Sequence, residues 1–140
     1  MPKTITPDYA LIPAADARSH PYGWGTLTFL ADAEGGTSPH VSMAHVTIRA
    51  GTRNMRHCHP NCDELLYLLA GHLRHAAGEA WVDMAPGDTI RITANVPHQA
   101  EALGTEDAVM LVVYSAGDRE TDVLDEVKQR LTSGRDVKRC

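Results

Sequence analysis

No run of apolar residues in this chain approaches the ~20 that a membrane-spanning helix requires. No basic cluster of useful size appears either, in a sequence whose formal net charge is -5. A helix in the bilayer and a nucleic-acid partner are both set aside on those grounds; Arg135, Lys138 and Arg139 are few and terminal and read as a solvated tail. Cysteine occurs three times, an odd number that builds no disulfide framework and suits a reducing compartment. The N-terminal stretch carries Asp8, Asp16 and four prolines by position 21 and lacks the apolar core of a signal peptide. The expectation is a cytoplasmic protein. No helix-turn-helix pattern occurs, which removes a common route to gene regulation. A chain of 140 residues forms one domain with a single core and needs no cross-links.

What is present is a succession of short β-type segments. Residues 22–30, 41–49, 64–69, 72–76, 80–84, 89–93, 98–102 and 109–114 are rich in β-branched and apolar side chains. They are separated by turn signals such as Ala70-Gly71, Gly78-Glu79 and Pro86-Gly87. Strands at this spacing with no helical pattern between them predict an all-β barrel or sandwich. Residues 1–17 are proline-punctuated and read as an extended arm or an edge strand. One helix is expected, over about 118–132, because Val123, Leu124, Val127 and Leu131 recur at helical spacing, with Asp118 or Thr121 as N-cap and Gly134 as a stop.

The chemistry concentrates between Gly51 and Gly71. His57 and His59 are two apart and Glu64 follows after Pro60, Asn61, Cys62 and Asp63. On an extended backbone the period of two puts both imidazoles on one face, and a turn at Pro60 returns the Glu64 carboxylate to them. Two imidazoles and a carboxylate make a first-row transition-metal site, and His98 is available downstream as a fourth ligand. A zinc site on Cys58 and Cys62 is a rival, weakened because Cys58, between the two histidines, faces away from them.

This stretch resembles the first motif of the cupins: a glycine, five residues, His-x-His, a short gap, glutamate, six residues and glycine, met here by Gly51, His57, His59, Glu64 and Gly71. Gly87 and His98 fit the second motif, whereas Thr93, Asn95 and Ala102 stand where that motif usually has proline, glycine and asparagine. Asn95 tolerates the left-handed conformation a glycine would adopt there. The resemblance covers roughly 41–114. It implies a double-stranded β-helix (jelly-roll) barrel in a single domain over 1–140, with the arm and first strand in 1–40. It also implies His57, His59, Glu64 and His98 as ligands of one divalent transition metal per chain. Iron is favoured; manganese, nickel, zinc and copper suit the same donors.

Four protein ligands leave coordination positions open, which points to an enzyme acting on a small oxygen-bearing molecule. A dioxygenase leads. A metal-assisted isomerase, lyase or decarboxylase, or a non-catalytic small-molecule binder on the same scaffold, are the alternatives. His75, inward with Leu73, is a candidate base or substrate clamp; Arg53 is a candidate partner for a substrate carboxylate; Tyr114 closes the last strand beside the pocket. Met43 and His45 share one face of strand 41–49 and are further candidates for the pocket wall. In strand 64–69, Leu65, Tyr67 and Leu69 point outward if Glu64 points in, and an outer face that apolar predicts a homodimer.

Overall fold

The computed structural model describes residues 3–6 and 8–124. Its strands are β1 (Lys3–Thr6), β2 (Tyr9–Leu11), β3 (Arg18–Tyr22), β4 (Gly25–Ala31), β5 (Ser42–Ile48), β6 (His57–Cys58), β7 (Glu64–Ala70), β8 (His72–Ala77), β9 (Ala80–Met84), β10 (Thr89–Ile92), β11 (His98–Leu103), β12 (Ala108–Tyr114) and β13 (Asp122–Val123). A six-stranded sheet runs β10-β7-β12-β5-β4-β3 and a five-stranded sheet runs β13-β6-β11-β8-β9. Every pairing in both is antiparallel. The arm is a separate ribbon of β1 and β2. No helix among the described residues is long and apolar enough to cross a membrane.

Alternation along the strands decides what lies between the sheets. Ala44, Val46 and Ile48 of β5, Leu66 and Leu68 of β7, and Ala108, Met110 and Val112 of β12 are buried against Leu73 of β8 and Ala100 and Ala102 of β11. These side chains occupy every second position, so one face of each sheet makes the core. The opposite parity of β7 leaves Leu65, Tyr67 and Leu69 at 47%, 42% and 42% exposure, as the sequence pattern requires. On β5 the same rule corrects an expectation: Met43 and His45 alternate with the buried Ala44 and Val46 and therefore belong to the outer face.

Two further expectations fail for local reasons. Residues 22–30 are not one strand; β3 and β4 form a hairpin turning at residues 23–24, with Gly25 paired to Ile48. The C-terminal helix is absent from the described part of its span. Residues 122–124 instead lie along the edge of β6, where Val123 pairs with His57 and the Leu124 amide donates to the Arg56 carbonyl at 2.7 Å. An open strand edge offers backbone partners that a solvent-facing helical turn lacks, and it outweighs the helical stripe. Residues 125–132 of the expected helix lie outside the described residues.

Candidate metal centre

Strand register brings the histidines together. His98 opens β11 directly opposite His57 on β6, while His59 and Glu64 lie on either side of the turn at 60–63. That turn is tied down: the Asp63 carboxylate accepts from the Ala94 amide at 2.9 Å, the Asp63 amide donates to Ser115 Oγ at 2.9 Å, and the Asn95 amide donates to the His59 carbonyl at 3.0 Å. Asn95 has φ 70°, the left-handed turn that delivers His98. One ring nitrogen from each of His57, His59 and His98 lies within 4.8 Å of the others. Glu64 Oε1 is 3.2 Å from both His59 Nε2 and His98 Nε2.

The tautomers follow from what faces the other nitrogens. His57 Nδ1 is 2.7 Å from the Met55 carbonyl, His98 Nδ1 is 2.9 Å from the Val96 carbonyl and His59 Nδ1 is 2.8 Å from the Glu120 carbonyl. A carbonyl only accepts, so each Nδ1 carries the hydrogen and, in a neutral ring, Nε2 keeps its lone pair. The buried His59 Nε2, His98 Nε2 and Glu64 Oε1 have no hydrogen-bond partner. Lone pairs facing one another at that range repel unless a positive charge lies among them, and three imidazoles with a carboxylate are a donor set that fits a divalent ion.

Electrostatics agree. Burial, helped by the neighbouring His98, pushes His57 down to about 3, leaving it neutral and able to donate its lone pair. Burial pushes the Glu64 carboxyl up, but the facing imidazoles of His59 and His98 more than offset this and hold it well below the usual carboxylate range. For His98, burial opposes a charge and the Glu64 carboxylate outweighs it, raising the pKa. Proton and metal ion thus compete for one place. The cysteines stay out of it. Cys58 is fully buried and disulfide-bonded, which weakens the argument for a reducing compartment. Cys62 is a buried thiol pushed up by burial to about 11, so it stays protonated and is a poor ligand.

The centre opens on a cavity of about 160 Å³ whose wall includes Leu27, Val46, Ile48, Leu66, Met110 and Val112. His57, Glu64 and His98 form part of the wall, and His59 does not. His75 also lines the cavity and is 1% exposed, with its ring stacked on His98 at 5.7 Å and no hydrogen-bond partner for Nδ1. Burial lowers its pKa to about 4. Tyr114 lines the cavity edge-on to His59, and burial raises its pKa, which keeps the hydroxyl a donor. Arg53 is not brought in. It is exposed, bridged by its backbone to Glu101 and absent from the cavity wall.

Sequence reasoning missed the segment 118–124, which gives Arg119, Thr121 and Val123 to the cavity wall. Asn61 clamps this strap with both ends of its amide, Nδ2 donating to the Asp118 carbonyl at 2.9 Å and Oδ1 accepting from the Glu120 amide at 2.8 Å. The alternation of Thr121 and Val123 about Asp122 was the available signal, hidden by the helical stripe.

Residues 44–114, just over half of the chain, match the family model described as a cupin domain. No curated protein gives a significant match. Among solved structures, a formate complex of Lactobacillus farciminis oxalate decarboxylase is 19% identical with TM-score 0.74; the match covers 89% of this chain and 40% of that one. A Bacillus subtilis oxalate decarboxylase studied for its Mn(II) centres is 22% identical with TM-score 0.72, over 83% of this chain and 31% of that one. The chain spans less than half the length of either structure, and at such identities the likeness is one of fold. With the motif residues converging as the strands dictate, the chain belongs to the cupin family.

Proposed function

We propose that this cupin is an enzyme acting on a small oxygen-bearing organic molecule at one divalent ion per chain, held by His57, His59, Glu64 and His98. The observation that carries this is the unpartnered cluster of Nε2 and Oε1 atoms whose Glu64 and His98 line a largely apolar cavity. An iron ion would supply an open, redox-active centre for oxygen and substrate, which puts a dioxygenase first. The protein's own groups confine the reaction: the apolar wall excludes water, Tyr114 donates a hydrogen bond into the cavity, and the uncommitted His75 Nδ1 orients a polar atom of the bound molecule. A decarboxylase is the second reading, favoured by the names of the structural neighbours and compatible with manganese.

The test is elemental analysis of protein purified without added metal, then anaerobic reconstitution with iron and an oxygen-electrode screen of β-diketones, catechols, flavonols and keto acids. Substrate-dependent oxygen uptake is the expected result. Carbon dioxide release without uptake, in manganese-loaded protein given carboxylic acids, transfers the assignment to the second reading. A protein that holds no metal after reconstitution ends both.

The exposed Leu65, Tyr67 and Leu69 stripe supports a homodimer through the outer face of the six-stranded sheet. Light scattering is expected to give twice the chain mass, and Tyr67→Glu to give the single-chain mass. A wild-type protein that is strictly monomeric at micromolar concentration removes this part of the proposal.

A further inference from the structure

We infer that Arg119 is the residue that recognises the substrate, and that the substrate is a compact monocarboxylic acid whose apolar body is about the size of one six-membered ring. This rests on the functional reading above and narrows it. Arg119 lines the same cavity as His57, Glu64 and His98. Its guanidinium carbon is 4.8 Å from the centre of the Tyr114 ring and 5.2 Å from that of Phe29. Aromatic contacts engage the faces of a guanidinium, whereas its N–H donors lie in the plane. The guanidinium thus rests against two aromatic rings, which accept none of the hydrogen bonds a carboxylate would. Among the described residues no carboxylate or carbonyl accepts from it; its recorded partners are the two rings. A planar fork of donors on the cavity wall matches a carboxylate, which is planar and takes two parallel hydrogen bonds.

The cavity limits the rest of the molecule. Its volume of about 160 Å³ is close to the roughly 150 Å³ of an apolar cavity that accepts benzene. Away from the metal ligands, Leu27, Val46, Ile48, Leu66, Met110 and Val112 form an apolar stretch of wall that needs an apolar partner. A small dianion such as oxalate would leave this wall without an apolar partner. A phosphate would bring more charge and a tetrahedral head to a flat fork. A ring or branched chain bearing one carboxylate satisfies both ends, with its body on the wall and its carboxylate on Arg119.

The probe pair is benzoate and its neutral isostere benzamide, titrated against metal-loaded and metal-free protein by quenching of tryptophan fluorescence. Trp24 lines the cavity and Trp81 is 60% exposed outside it. Wild-type protein is expected to bind benzoate at least about tenfold more tightly than benzamide. Arg119→Gln removes that preference with metal content and thermal midpoint kept, and Arg119→Lys restores part of it. A wild-type protein with no preference for benzoate, or an Arg119→Gln variant that keeps it, overturns the inference. Metal failing to load while the Arg119-dependent preference persists in the metal-free protein counts against the enzymatic reading and supports this one.

Discussion

His57→Ala is expected to weaken divalent-metal binding by at least about 100-fold while leaving the metal-free barrel folded. Altering a group that merely orients a ligand costs about 10- to 100-fold, and here a ligand itself is removed. The structural loss is small by comparison. The ring is held neutral by burial and its recorded hydrogen bond is local, to the Met55 carbonyl two residues back, worth about 1 kcal/mol. His98→Ala should weaken binding to the same degree but at greater cost to the metal-free fold, because it leaves the buried Glu64 carboxylate with His59 as its remaining imidazole partner at 3.2 Å. Metal content after dialysis against a weak chelator, with circular dichroism alongside, separates the two effects. Stoichiometric metal in both variants would remove these residues from the ligand set.

The second large effect concerns the connection between the sheets. Gly71 joins β7 to β8 at φ 79°, and a Cβ there would strike the Asp107 carbonyl oxygen and come within 2.9 Å of the Ala108 Cα. These are backbone atoms at the head of β12, where Ala108 pairs with Ile48 and Val109 with Ala70, and they cannot swing away as a side chain could. The left-handed conformation alone costs a residue with a Cβ about 1–2 kcal/mol. With the collision added, Gly71→Ala is expected to destabilise by about 3–5 kcal/mol, a large share of the ~5–15 kcal/mol that keeps a domain folded. Gly78→Ala is the control. Its φ is 60° but the added methyl meets nothing within 4 Å, so the conformational cost of about 1 kcal/mol stands alone. Urea unfolding of the two variants reads the difference; equal stabilities would show that the close approach at Gly71 carries no cost.

The spacing from Gly51 to Gly71 revealed the floor of the site because those residues are neighbours in sequence and the strand period turns spacing into facing. Asn95 was legible for the same local reason: a residue that tolerates positive φ stood where a turn was needed, and its φ is 70°. His75 followed from parity with Leu73. The roof was illegible. Arg119, Thr121 and Val123 reach the cavity through pairing of β13 with β6 and the clamp at Asn61, contacts between segments about sixty residues apart. Val123 and Leu124 fit a helical stripe as well as a strand, and local pattern cannot say that β6 has an edge to fill. Arg53 failed differently, since proximity in sequence to the ligand strand carried no information about which side of the sheet the guanidinium would take.

The three imidazoles are not aimed alike. The carbonyls that orient His57 and His98 come from two residues upstream of each ring, whereas the one that orients His59 belongs to Glu120. Closing a loop of that length has an entropic cost that local contacts escape. Two of the three imidazoles are therefore oriented as soon as the short strands pair, and the third waits for a distant stretch of chain to dock. A cation bound by all three rings would thus lock the last step of assembly.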